Sequence, residues 1–199
     1  MTGDACAVIL AGGKSSRMGE NKAGLTIEGR TMLELQLLKL EGLGIKEILV
    51  SGEPENLRDL MGEYKYAENV RIIPDIIKDR GPLGGLYSCF DATECRYALT
   101  ISVDSPFITA QTLNELLDDH KKNGADATVL TAASAAQPLI AVYNTCTSTV
   151  IRKLLDGDDL SVKALLNRIK THRHDFRGDA SELANCNTRE DYEKIIAMT

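Results

Sequence analysis

A chain of 199 residues, 43% hydrophobic and 26% charged, can bury a sizeable core and has the composition of neither a fibrous nor a disordered protein. The formal net charge of −6 argues against a general nucleic-acid binder, which carries a basic stripe. The apolar runs fall well short of the roughly 18 residues of a membrane span. Met1-Thr2-Gly3-Asp4 carries an acid where a secretory signal is positive, so a soluble, cytoplasmic protein is expected. Cys6, Cys89, Cys95, Cys146 and Cys186 include no C-x-x-C pair, which points to reduced thiols rather than a zinc site or a disulfide framework. Cys89, Cys95 and Cys186 are expected to pack in the core.

Ala5 to Leu10 is an apolar, β-rich run that reads as a buried first strand. It opens into Ala11-Gly12-Gly13-Lys14-Ser15-Ser16-Arg17-Met18-Gly19, then Glu20-Asn21-Lys22, a loop rich in glycine and positive charge. Glycines let a backbone turn tightly and approach a ligand, so amide groups here can face a phosphate. Ser15 and Ser16 add donors, Arg17 a planar fork and Lys22 a mobile point charge. The loop is not a P-loop, because Lys22 is followed by Ala23-Gly24 and the extended-looking Leu25-Thr26-Ile27 instead of Ser or Thr on a helix. The spacing of Gly12, Gly13 and Gly19 also fails the dinucleotide fingerprint.

Thr31 followed by Glu34 has the capping-box pattern, and Leu33, Leu37, Leu38 and Leu40 continue a helix until Gly42 and Gly44. Glu47–Val50 is the second strand, with a loop at 51–54. Leu57, Leu60 and Met61 mark an amphipathic helix, and Val70–Ile73 is the third strand, ending at Pro74-Asp75. Gly81-Pro82-Leu83-Gly84-Gly85 follows, and Pro82 suits a first helical turn, so an anion-attracting helix N-terminus is expected there. Tyr97–Val103 is the fourth strand, Asp104-Ser105-Pro106 lies just past it, and Thr109 caps a helix through Leu116, Leu117 and His120.

This β-α alternation calls for a mainly parallel sheet with helices on both faces, hence a three-layer α/β/α Rossmann-like fold. Ligands bind such sheets beyond the carboxyl ends of the strands, where the glycine loop, Asp75 and Asp104 would meet. In the second half, Ala127–Leu130 and Leu139–Tyr143 read as strands joined by a small-residue turn over 132–137. Helices are expected around 150–155 and from Ser161 to Ile169, with a last helix capped by Thr188 and carrying Asp191 in its first turn. His172 and His174 alternate on one strand face. Two imidazoles without a third ligand read as surface residues before they read as a metal site.

Leu10-Ala-Gly-Gly-x-Ser-x-Arg17-Met-Gly-x-x-Lys22, Asp75 ahead of Gly81-Pro-Leu-x-Gly, and Asp104-Ser-Pro together resemble the Rossmann-like nucleotidyltransferases. Gln137-Pro-Leu, Leu160-Ser-Val-Lys163-Ala-Leu-Leu and Asn187-Thr-Arg-Glu-Asp191 extend the likeness to the molybdenum cofactor guanylyltransferases over nearly the whole chain. The resemblance implies transfer of GMP from GTP to the terminal phosphate of molybdopterin, with release of pyrophosphate and dependence on Mg²⁺. It implies one nucleotidyltransferase domain over 1–199, with a nucleotide-binding half at about 1–108 and an acceptor-binding half at about 109–199.

By the same resemblance Leu10, Ala11, Gly12 and Gly13 touch the nucleotide together with Gly81, and Lys22 binds its phosphates. Asp75 meets the nucleoside, Asp104 holds Mg²⁺, and Ser51 stands where relatives often have Asn. Arg17, Lys22 and Asp104 are then the catalytic set. Gln137, Ser161, Lys163, Asn185 and Asn187 fall to the acceptor, with Lys163 or Arg168 meeting a pterin phosphate. Transient contact with cofactor-synthesis proteins or apo-molybdoenzymes is also implied.

The residue types suit this chemistry independently of the likeness. Phosphoryl-type transfer needs positioning and charge neutralisation more than covalent chemistry, and a phosphate nucleophile is already ionised near neutral pH, so no general base is required. Relatives that use CTP tend to read Leu-Ala-Ala-Gly where this chain has Leu10-Ala11-Gly12-Gly13, which favours a purine. Cytidylyl transfer, nucleotidyl transfer to another phosphorylated small molecule, and a nucleotide-binding cofactor chaperone without turnover stay open.

Overall fold

The computed structural model describes residues 4–12 and 21–198. β1 (Ala5–Leu10) is buried at all six positions because it is central in the sheet and covered on both faces. Its side chains alternate between two cores. Ala5, Ala7 and Ile9 join the cluster containing Leu33, Leu37 and Leu113, whereas Cys6, Val8 and Leu10 join the one containing Leu83, Leu86 and Ile151.

Lys22–Gly24 forms a 3₁₀ turn, capped by Asn21 Oδ1, which accepts from Ala23 N at 3.1 Å. Lys22 therefore opens a helical turn, and the extended segment comes after it as β2 (Thr26–Ile27), paired with β3 (Arg30–Thr31). Thr31 caps α1 (Met32–Gly42), its Oγ1 accepting from Glu34 N at 3.0 Å as the capping pattern predicts. β4 (Ile48–Ser51) is followed by α2, which covers only Pro54–Leu57. The longer helix expected through Met61 breaks into 3₁₀ turns, and the left-handed Gly62 (φ 55°) lies at their junction. β5 (Val70–Ile73), α3 (Gly81–Asp91, with Pro82 in its first turn), β6 (Tyr97–Ser102) and α4 (Ala110–Asn123, capped by Thr109) complete the alternating half.

β7 (Ala127–Ala132) and β8 (Ala135–Asn144) form a hairpin whose tight turn is Ala133-Ser134, both with positive φ (46° and 68°). The turn is shorter and β8 longer than expected, because this left-handed pair is made without the Asn-Gly that ordinarily announces it. The pairing jumps from Val129↔Ala141 to Leu130↔Gln137, so Pro138, Leu139 and Ile140 form a bulge. A proline without an N–H suits a bulge, and Tyr143 donates from its hydroxyl to Pro138 O at 2.7 Å across it.

α5 (Ser148–Leu155) precedes α6, which runs only from Val162 to Leu166 behind its cap Ser161, shorter than the expected helix to Ile169. β9 (Thr171–Asp175) and α7 (Arg189–Met198) close the chain. The seven main strands lie in the order β5-β4-β1-β6-β8-β7-β9. β8 alone runs against its neighbours, so the sheet is mainly parallel with helices on both faces, an α/β architecture. No helix among the described residues is long and apolar enough to cross a membrane.

Candidate active site

The carboxyl ends of β1, β4, β5 and β6 open on a cleft of about 1050 Å³, lined by Leu10, Ala11, Gly12, Ser51, Asp75 and Gly81 with Asp104 at its end. A second cleft of about 400 Å³ continues from it, lined by Gln137, Ser161, Lys163, Asn185 and Asn187 and again by Asp104. Pro82, Ser102 and Leu139 also belong to both. The structure thus gathers the expected nucleotide residues Leu10, Ala11, Gly12, Ser51, Asp75 and Gly81 on one side of Asp104 and the five expected acceptor residues on the other, while Lys22 is bonded to Asp104 and Asn187 at the seam. Arg17 and Gly13 lie outside the described residues, and Arg168 is exposed away from both clefts.

Asp104 sits at the seam because β6 ends at Ser102 and the chain turns there. Ser102 Oγ donates to Asp104 Oδ1 at 2.5 Å, and Lys22 Nζ donates to Asp104 Oδ2 at 3.1 Å and to Asn187 Oδ1 at 2.8 Å. The loop after β6 is held from behind. Gln36, fully buried on α1, donates from Nε2 to Ser105 O at 2.8 Å and, more loosely, to Ser102 O at 3.4 Å. Lys39 Nζ donates to Pro106 O and Gln36 Oε1, both at 3.0 Å, and burial pulls its pKa down to about 8. Sequence reasoning missed both residues. An α1 glutamine at a position of leucine periodicity was the available signal.

The segment before α7 closes the seam from the other side. Cys186 N donates to Asp104 O at 2.9 Å, and Ser105 Oγ donates to Asn185 Oδ1 at 2.7 Å. Neither asparagine side chain caps α7. Thr188 and Asp191 do so reciprocally: Asp191 Oδ2 accepts from the backbone of Asn187 and Thr188, and Thr188 Oγ1 accepts from Asp191 N.

On the nucleotide side, Ser51 Oγ makes a long 3.5 Å contact with Asp75 Oδ1. Burial raises the pKa of Asp75, and the Ser51 contact opposes that shift. A Cβ on Gly12 would lie 3.5 Å from Ser51 O, an ordinary contact, so the fold itself does not demand glycine there. A Cβ on Gly85 would overlap Ser51 Oγ, so α3 and β4 approach too closely for a side chain. His172 Nε2 and His174 Nδ1 both face Asp119 Oδ2 of α4, at 3.2 and 2.7 Å. Burial acts to raise the Asp119 pKa, but the His174 hydrogen bond and both imidazoles hold it below the usual range.

A cleft across the carboxyl ends of a mainly parallel sheet, with a lysine–carboxylate pair at its seam, marks a nucleotide-handling α/β enzyme. The comparisons make the class specific. Residues 7–174 match the MobA-like NTP transferase domain family. A probable molybdenum cofactor guanylyltransferase of Flavobacterium johnsoniae is 32% identical over 81% of this chain and 80% of its own length. One of Bacillus subtilis is 32% identical over 93% of this chain and 91% of its own. The crystal structure of molybdopterin-guanine dinucleotide biosynthesis protein A from Archaeoglobus fulgidus superimposes with a TM-score of 0.82 at 18% identity, covering 97% of each chain. The chain belongs to the MobA-like NTP transferase family and is a nucleotidyltransferase.

Proposed function

We propose that this enzyme transfers GMP from GTP to the terminal phosphate of molybdopterin, forming molybdopterin guanine dinucleotide and pyrophosphate, in the cytoplasm. The observation that carries the reading is the two-part cleft joined at Asp104, with one part for a nucleotide and one for a phosphorylated acceptor. The similarity to probable molybdenum cofactor guanylyltransferases favours this acceptor and this base. Gly12 and Gly13, where users of CTP tend to carry Ala-Gly, favour the purine.

Mg²⁺ fits the donor set: it is held by one or two carboxylates plus substrate phosphates and waters, and Asp104 offers a carboxylate where the two substrates would meet. When bound, it neutralises charge building on the phosphates. Asp104 would hold it. Lys22, now shared between Asp104 and Asn187, then turns its ammonium to the nucleotide phosphates, and Asn187 keeps the swing short. Asp75 and Ser51 orient the nucleoside, while Gln137, Ser161 and Lys163 receive the acceptor. The acceptor phosphate attacks the α-phosphorus as an anion, the bond to the β-phosphate oxygen breaks, and no side chain needs to take a proton.

The test is pyrophosphate release with Mg²⁺, molybdopterin and each of GTP, CTP, ATP and UTP. GTP alone should support release. Release with CTP and not GTP overturns the base assignment, and binding without release under all four nucleotides replaces the enzyme by a cofactor chaperone.

A further inference from the structure

The opposite end of the sheet carries a second cluster of chemically able side chains. The parallel strands β4, β1 and β6 are neighbours, and their amino-terminal ends bring together Glu47 just before β4, Cys6 within β1 and Cys95 just before β6. Cys6 Sγ, Cys95 Sγ and a Glu47 carboxylate oxygen all lie within 4.8 Å of one another. We propose that Cys6, Cys95 and Glu47 form a binding site for one thiophilic divalent cation of the Zn²⁺ class, separate from the nucleotide cleft.

The dimensions suit that ion. With Zn–S about 2.3 Å and Zn–O about 2.0 Å, a tetrahedral site places a sulfur and an oxygen donor about 3.5 Å apart. Cys95 Sγ and Glu47 Oε2 are 3.5 Å apart. An S–H···O hydrogen bond has a similar length, so this distance alone decides nothing. What adds to it is the second sulfur and the fixing of the carboxylate. Arg71 Nη1 of β5 donates to Glu47 Oε1 at 2.8 Å, and Thr93 Oγ1 donates to Oε2 at 2.5 Å. Such outer partners orient metal-binding carboxylates. Cys6 is fully buried and Cys95 partly exposed, which leaves an approach from the Cys95 side, where a water would complete the coordination.

Charge also balances. Without metal, Glu47 and Arg71 cancel, and both thiols are protonated because burial raises their pKa values. Binding replaces two thiol protons by one M²⁺: two thiolates, one carboxylate, one guanidinium and the cation sum to zero. Two protons leave to solvent, no electron moves, and affinity must rise with pH. The spacing of Cys6 and Cys95 in sequence conceals the site, since the pairing of β1 with β6 brings them together.

The test is Co²⁺ titration of the reduced, full-length protein, followed by competition with Zn²⁺. One equivalent of Co²⁺ should give a thiolate-to-cobalt charge-transfer band, release two protons and be displaced by Zn²⁺. The band should vanish in Cys95→Ser and in Cys6→Ala, and weaken in Glu47→Gln. Zn²⁺ should raise the Tm of the parent protein by more than that of Cys95→Ser. Co²⁺ at Asp104 has oxygen donors and gives no thiolate band, so binding there cannot imitate the result. Absence of the band in the parent protein, its survival in folded Cys95→Ser, or formation of a Cys6–Cys95 disulfide in place of metal uptake overturns the proposal.

Discussion

Lys22 Nζ lies 3.1 Å from Asp104 Oδ2, so the Lys22 ammonium at the seam is bonded to the carboxylate expected to hold Mg²⁺. Each side chain is about one-fifth exposed (22% and 21%), and such pairs contribute roughly 0–1 kcal/mol to stability. Their value is in turnover. Lys22→Ala is expected to lower kcat about 10²- to 10³-fold, as removal of a single electrostatic stabiliser does. Asp104→Ala should abolish Mg²⁺-dependent turnover, with the Tm of both variants near that of the parent. Steady-state kinetics across a Mg²⁺ titration checks both, and an unchanged rate and GTP affinity in Lys22→Ala would refute the phosphate role.

Gln36 acts through the backbone of the Asp104 loop. Gln36→Leu keeps the apolar volume but leaves the Ser105 carbonyl without its 2.8 Å donor, and an unsatisfied buried acceptor costs about 1–3 kcal/mol. Chemical denaturation should show that loss. If Gln36 also positions Asp104, kcat should fall roughly tenfold at temperatures where the variant remains folded, because small misplacements are costly in transfer reactions. A lower stability with unchanged kcat and Mg²⁺ dependence would reduce Gln36 to a packing residue.

Lys39 makes stability depend on pH in the alkaline range. Burial lowers its folded pKa from 10.5 to about 8, so between these values the unfolded chain binds a proton that the folded one has lost. Stability should therefore rise as pH increases from about 8 to about 10.5 and be lowest, on this account, where both states are protonated. Lys39→Met removes the term. The difference in unfolding free energy between parent and variant, measured by urea denaturation across that range, should move in favour of the parent as pH rises. A flat difference would show that the ammonium is not desolvated in the fold.

Much of this was legible in the sequence because the first half obeys local rules: strand and helical segment alternate until β6, with a capping pattern at α1, a proline in the first turn of α3, and Asp75 and Asp104 just past strand ends. The second half was harder to read for physical reasons. The β7–β8 turn uses Ala133 and Ser134 in left-handed conformations, and the bulge at Pro138–Ile140 shifts the register, so residue pattern alone misplaced the start of β8. Gln36 and Lys39 on α1 look like ordinary helix residues until the loop at 102–106 is laid against them. Gln137, Ser161 and Lys163 came from resemblance only, and the fold brings them to one cleft by packing the bulge against the start of α6.

Gly85 ties the nucleotide side of the cleft to the packing of α3 on β4. A Cβ there would overlap Ser51 Oγ and lie 3.1 Å from Leu10 Cδ2, so Gly85→Ala must push α3 outward or displace the buried Ser51. Overpacking of this kind typically costs about 1–3 kcal/mol. Because Ser51 reaches Asp75 in the parent, the displacement should also raise the KM for GTP. Ser51→Ala removes the overlapping hydroxyl, and a Cβ on Gly85 would then meet the side chain at position 51 only at 3.2 Å. The double variant Gly85→Ala/Ser51→Ala should accordingly recover most of the stability lost by Gly85→Ala alone, a favourable coupling between touching residues. Thermal denaturation of the two single variants and the double completes the cycle. Additive losses would place the strain of Gly85→Ala elsewhere on α3.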